Sequence, residues 1–265
     1  MKIYLICTER PAFNPKYIDF ILRNSSVPIC GITIVRPDAR HRKTEVLRHY
    51  VRIFGYTGFL LMGIFHGLLL LLNCFKWWGP FSVVRVAKEH NIPYRLVSDV
   101  NAQDHVDFLK GLHVDAIIAN SDQVFREELL STARIGVFNR HSALLPSYKG
   151  FWPVYWAVVN GEKDIGVTFH KMEKKVDSGD IVLQEKIPIE AGDSLVSLYY
   201  KAFKSSASLA CQCIQKLSCG ELTFSPNGPG TYYLRPGIKE RRKFLKRLRI
   251  VRPLDFLYFL KNFNL

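Results

Sequence analysis

Residues 1–35, MKIYLICTERPAFNPKYIDFILRNSSVPICGITIV, decide the fold class. Within them, 2–7 (KIYLIC) is a short apolar run rich in β-formers, 17–23 reads as a helix, and 29–35 (ICGITIV) is a second run of strand length. This is a β-α-β opening. Apolar strands of this kind need cover on both faces, which a parallel sheet flanked by helices provides.

The same alternation resumes after Pro80, with a helix at 81–90, a strand at 94–97, a helix at 102–112 and a buried strand at 114–119 (VDAIIA). From residue 135 it tightens into strand, long loop and helix (IGVFNRHSALLPSYKG, then FWPVYWAVVNG). A strand at 165–170, a DSGD turn at 177–180 and a strand at 181–189 follow. Residues 193–217 read as one long helix with Asp193 or Ser194 as its N-cap. The expected fold is α/β: a Rossmann-like, mostly parallel sheet with helices on both faces, plus an apolar helical insertion and a basic C-terminal extension. Ligands of such sheets bind at the carboxyl ends of the strands.

Composition agrees with a packed domain. Of 265 residues, 48% are hydrophobic, including 18 Phe, 12 Tyr and 4 Trp, which excludes wholesale disorder. Lys plus Arg outnumber Asp plus Glu by 37 to 23, a net charge of +14 that attracts phosphates, nucleic acid or an acidic lipid surface without choosing among them. The opening MKIYLICTER has neither the apolar core nor the cleavage site of a signal peptide, so the six cysteines are expected in a reducing, cytoplasmic compartment. Cys211, Cys213 and Cys219 lack a second pair at zinc-finger spacing and fall in a helical stretch. They are expected as buried thiols, with no metal.

The chemistry is concentrated at the end of the strand after residue 135. Asn139 and His141 flank one residue, so in extended backbone their side chains share a face and can converge on one atom. Asp177 opens the DSGD turn. An amide donor, an imidazole and a carboxylate at strand ends suit a reaction that stabilises an oxyanion and moves a proton. The same residue types also sit at strand ends simply to satisfy loop backbone, and the triad alone leaves that reading open.

The surrounding residues add a resemblance. Asn139-Arg-His141-Ser-Ala-Leu-Leu-Pro-Ser-Tyr-Lys149-Gly150 closely resembles the Asn-x-His-Pro-Ser-Leu-Leu-Pro-x-Tyr-Arg-Gly signature of the 10-formyltetrahydrofolate-dependent formyltransferases. Asp177, within Lys171-Met-Glu-Lys-Lys-Val-Asp177-Ser-Gly-Asp-Ile181, falls where that family places its catalytic aspartate. The likeness covers about residues 2–217, with an interruption, and is strongest over 116–184. Ser142, Ala143 and Lys149 depart from the signature's Pro, Ser and Arg.

The resemblance implies that an amine attacks the formyl carbon of the co-substrate 10-formyltetrahydrofolate and that a tetrahedral intermediate collapses to tetrahydrofolate. Asn139 would donate to the oxyanion. His141, protonated, would donate to the same oxygen or to N10, and Asp177 would hold His141 charged and order a water. By the same comparison Gln123, Val124 and Phe125 fall on the segment whose backbone reads the pteridine, and Glu173, Lys174, Lys175 and Val176 on the loop that closes over it. Val124 and Phe125 also read as core residues. His170 resembles a strand histidine near the aspartate, or a satisfied core histidine. Lys149 would suit an anionic acceptor, or simply be solvated.

The resemblance divides the chain into a catalytic domain at 1–219, with an apolar insertion at about 45–79, and a basic extension at 220–265. The acceptor expected is a small-molecule amine, an amino sugar on a nucleotide or lipid carrier. Initiator methionyl-tRNA is less favoured, because about 45 residues follow Gly220, too few for an RNA-binding barrel. Glycinamide ribonucleotide transfer, a formyltetrahydrofolate hydrolase and a non-catalytic folate- or partner-binding protein are the alternatives.

Residues 53–75 (IFGYTGFLLMGIFHGLLLLLNCF) hold no Asp, Glu, Lys or Arg, and Arg42, Lys43, Arg48, Arg52, Lys76, Arg85 and Lys88 flank them. They are expected as a helical hairpin or re-entrant insertion lying peripherally on the cytoplasmic face of a membrane, with a homodimer interface or ordinary core as alternatives. Residues 250–265, with Leu254, Leu257, Tyr258 and Phe259 on one helical side, are expected as a second membrane contact, or as a tail docked on the core.

Overall fold

The computed structural model describes residues 1–36, 43–72 and 81–261. Nine strands are described: β1 (Ile3–Thr8), β2 (Ile29–Val35), β3 (Tyr94–Val97), β4 (Ala116–Asn120), β5 (Gly136–His141), β6 (Lys149–Gly150), β7 (Asp164–Lys171), β8 (Ile181–Pro188) and β9 (Tyr232–Tyr233). The helices are α1 (Asn14–Asn24), α2 (Lys43–Leu72), α3 (Val83–Glu89), α4 (Gln103–Leu112), α5 (Glu127–Leu130), α6 (Pro153–Asn160), α7 (Leu195–Cys219), α8 (Ile238–Leu245) and α9 (Phe256–Leu260).

The main sheet runs β3-β2-β1-β4-β5-β7-β8. The first five strands are parallel, and β7 and β8 add an antiparallel edge. Every residue of β1 is buried, as a central strand covered on both faces requires. One face packs on α1, α3, α6 and α7 through Ile3, Leu5, Phe138, Tyr17, Val86, Tyr155 and Leu198. The other packs on α4 and α5 through Tyr4, Ile6, Ile117, Val137, Val106 and Leu129. The order reverses between β1 and β4, the switch point at which α/β sheets open a crevice.

Local signals set several boundaries. Ser194 caps α7, its Oγ accepting from Ser197 N–H (3.0 Å) while Ser197 Oγ accepts from Ser194 N–H (2.8 Å). Gly220 ends that helix in the left-handed region at φ 71°. Cys211 and Cys213 lie on α7, but Cys219, expected buried, is exposed, because it sits on the last turn beyond the sheet.

Two apolar segments differ from expectation. No turn falls within residues 56–72, which run as helix, so the hairpin expected in 53–75 does not form there. The backbone leaves helical geometry at Gly55 instead (φ 71°, ψ 173°), which glycine tolerates. Cys74 and the flanking Arg42 and Lys76, with the side chain of Lys43, lie outside the described residues. The expected helix over 250–265 is a 3₁₀ turn (Pro253–Asp255) followed by the short α9. Tyr258 packs on Tyr200 (4.6 Å between centroids) and so leaves the exposed side occupied by Leu254 and Leu257. Phe259's side chain and residues 262–265 lie outside the described residues.

Candidate active site

β5 ends at the carboxyl edge of the sheet, and its alternation sends Asn139 and His141 to one face and Arg140 to the other. Arg140 is buried over the Phe203 ring (4.0 Å) and donates to Ser206 Oγ (3.0 Å), helping to fix the strand from behind. The antiparallel partner β7 sets His170 opposite Asn139 and Thr168 opposite His141. The β7–β8 connection then returns Asp177 beneath both histidines.

Asp177 is the hub. Its Oδ2 lies 3.5 Å from His141 Nδ1 and accepts from Gly150 N–H at 2.9 Å, while its Oδ1 lies 3.6 Å from His170 Nε2. All three side chains are buried. Burial pushes the Asp177 carboxyl up, but His141 in its protonated form at acid pH, His170 and the Gly150 N–H outweigh it and hold the group at about 2, so Asp177 is a carboxylate. His141 differs from expectation: burial lowers its pKa, and Asp177 only partly offsets this, so the ring is neutral near pH 7. Its Nε2–H donates to the Tyr148 carbonyl at 2.8 Å. His170 Nδ1–H donates to Lys171 O (3.0 Å), leaving Nε2 buried without a hydrogen bond and facing the carboxylate. Among the described residues no side-chain hydrogen bond engages the Asn139 amide, which stays available as a donor.

The loop between β5 and β6 is shaped by distant residues. Thr168 Oγ1 donates to Ala143 O (2.6 Å) and accepts from Leu145 N–H (3.2 Å), and Gln184 Nε2 donates to Leu145 O (2.7 Å). The Leu145–Pro146 peptide is cis. Lys149, expected to face an acceptor or solvent, is buried instead, with Nζ donating to Gly228 O at 3.1 Å. The stretch after Gly220 crosses this face, so its backbone reaches the lysine before any ligand can. In the same crossing β9 pairs with β6, and Asn227 donates to the carbonyls of Asp177 and Gly179, each at 3.0 Å. Asn227 carries no local sequence signal; only the return of the chain brings it to the aspartate.

The segments expected to hold the folate lie side by side. Gln123 is tied back, accepting from Val100 N–H (2.8 Å) and donating to Ser98 O (2.7 Å), and Phe125 is buried. Val124 is 61% exposed, and among the described residues its N–H and that of Phe125 have no acceptor. Glu173, Lys174, Lys175 and Val176 are exposed, and Lys174 Nζ reaches Glu127 Oε2 at 3.7 Å, joining that loop to the start of α5. Unengaged backbone donors beside an exposed loop fit a heterocycle read by main chain.

The mostly parallel sheet has a switch point, and Asn139, His141 and Asp177 gather at its carboxyl edge. Residues 81–213 match the formyl transferase family model, and the chain belongs to that family. It is 30% identical over 197 residues to the methionyl-tRNA formyltransferase of Thermotoga maritima, covering 74% of this chain and 62% of that protein. The fold is shared with glycinamide ribonucleotide transformylase 1 from Symbiobacterium toebii (TM-score 0.62, 16% identity, 86% of this chain and 92% of that one). It is also shared with the sugar 3N-formyl transferase WlaRD, solved in the presence of dTDP and 5-N-formyl-THF (TM-score 0.59, 17% identity, 95% and 82%).

Proposed function

We propose that this protein transfers a formyl group from 10-formyltetrahydrofolate to the primary amine of a small molecule, an amino sugar on an anionic nucleotide or lipid carrier. The observation that carries the reaction is the convergence of Asn139, His141 and Asp177 at the carboxyl edge of the sheet. The co-substrate supplies an activated formyl carbon, held by the Val124 and Phe125 main chain and the 173–176 loop. As the amine adds, Asn139 donates its amide N–H to the developing oxyanion. His141, neutral, exchanges the Tyr148 carbonyl for that oxygen and donates Nε2–H to it. Asp177 stays ionised and draws the amine proton toward itself through water, and that proton passes on to N10 as the C–N10 bond breaks and tetrahydrofolate leaves.

The acceptor rests on two supports: the sugar formyltransferase fold spans nearly the whole chain, and the +14 charge favours an anionic carrier. The test follows tetrahydrofolate release with a nucleotide-linked amino sugar, glycinamide ribonucleotide and methionyl-tRNA side by side. Preference for the sugar is expected. Preference for methionyl-tRNA overturns the acceptor, and no release with any amine overturns the reaction.

A further inference from the structure

We propose that the outward face of α2, with α9 beside it, docks this protein on an anionic lipid surface. The helix has two apolar faces of different fate. Its inner face, through Met62, Phe65, Leu69 and Leu72, packs on Phe81, Val196 and Phe256. Its outer face carries Leu60 (63% exposed), Ile64 (60%) and Leu71 (58%) in one row at helical spacing, with Leu61 alongside. A single exposed leucine needs no explanation, but such a row does. A solvated helix face carries charge, and residues 53–72 carry no Asp, Glu, Lys or Arg.

Tertiary packing extends this face. Phe256 meets Phe65 edge-on at 5.4 Å, setting α9, with its exposed Leu257, and the preceding exposed Leu254 against the same helix. Lys16 Nζ donates to Tyr258 O at 3.1 Å, and Asp255 Oδ2 accepts from Ser194 Oγ and Arg252 N–H, each at 2.6 Å, so the segment is anchored.

The rim of the face is basic. Arg48 and Arg52 are exposed just before the bend at Gly55. At that bend α8 docks, Arg241 lying where Gly55 has no side chain and donating to Arg52 O at 3.4 Å. Lys239, Arg242 and Lys243 of the same helix are exposed, while its acid, Glu240, is engaged at the Gly237 N–H (2.8 Å). Basic side chains around an apolar row match the headgroup and acyl layers of an anionic bilayer. A second copy of the chain is the poorer occupant, since it brings the same net +14 and the same rim against this one.

The docking does not depend on the reaction, and flotation tests it. The intact chain is mixed with phosphatidylcholine vesicles with and without phosphatidylglycerol, and compared with a Leu60→Glu/Ile64→Glu/Leu71→Glu variant. The intact chain is expected to float with the anionic vesicles only and to be released by salt, and the variant to bind at least about tenfold less. An Ile64→Trp variant, with all else native, is expected to show fluorescence quenching by brominated phosphatidylglycerol beyond that of the unsubstituted chain, which decides the matter if the triple variant does not fold. Failure of the intact chain to float, equal flotation of a folded triple variant, or no added quenching each overturns the proposal. A dimer that the triple substitution abolishes, without lipid binding, assigns the face to a second copy and overturns it too.

Discussion

In the proposed reaction Asn139, His141 and Asp177 divide the work by their surroundings. Asn139→Ala is expected to lower turnover by roughly 10²–10³ while leaving tetrahydrofolate affinity nearly intact, checked by single-turnover kinetics and equilibrium binding. The pH profile tests His141. Burial holds its pKa below the ordinary 6.5, and the neutral ring is the working form, so the rate is lost as pH falls through a midpoint below 6.5. Asp177 raises that pKa, so Asp177→Asn should cut the rate and move the midpoint lower still. A midpoint that stays in place under Asp177→Asn belongs to the acceptor amine and contradicts the assignment.

The decisive elements are the shortest ones, β6 and β9. Gly150 has φ 94°, its N–H donates to Asp177, and a Cβ there would lie 2.4 Å from Tyr233 O. Gly150→Ala is expected to open the pairing, costing about 1–3 kcal/mol of stability and much of the activity. Gly220 has φ 71° with open space around it, so Gly220→Ala should cost about 1 kcal/mol and leave turnover unchanged. Thermal unfolding and kcat for the two variants separate local strain from damage to the site. Asn227→Ala removes both tethers on the Asp177 turn and is expected to cost about 1–2 kcal/mol and roughly tenfold in kcat.

At the scale of the whole molecule, Lys16 joins the first helix to the last. It is buried, and burial lowers its ammonium from 10.5 to about 7. The folded pKa is the lower one, so between about pH 7 and pH 10.5 the unfolded chain binds more protons and stability rises with pH. Relative to Lys16→Met, the native chain is expected to gain about 1–2 kcal/mol from about pH 7 to about pH 9 in denaturant unfolding. Parallel curves for the two proteins would show that folding does not lower the lysine's pKa.

Periodicity and local chemistry determined the β-α-β opening, the strands at 29–35 and 94–97, the cap at Ser194 and the shared face of Asn139 and His141. Each of these follows from side-chain alternation, helical spacing or a neighbour a few residues away, which a linear chain displays. Tertiary structure decided the rest. The antiparallel edge of β7 and β8 sets His170 beside Asn139, and the chain after Gly220 returns to bring Asn227 and Gly228 onto the site and turn Lys149 inward. The downward push on the His141 pKa likewise arises only in three dimensions. A sequence shows that a carboxylate is near in kind, but desolvation depends on how completely distant segments exclude water, and here that outweighs the charge.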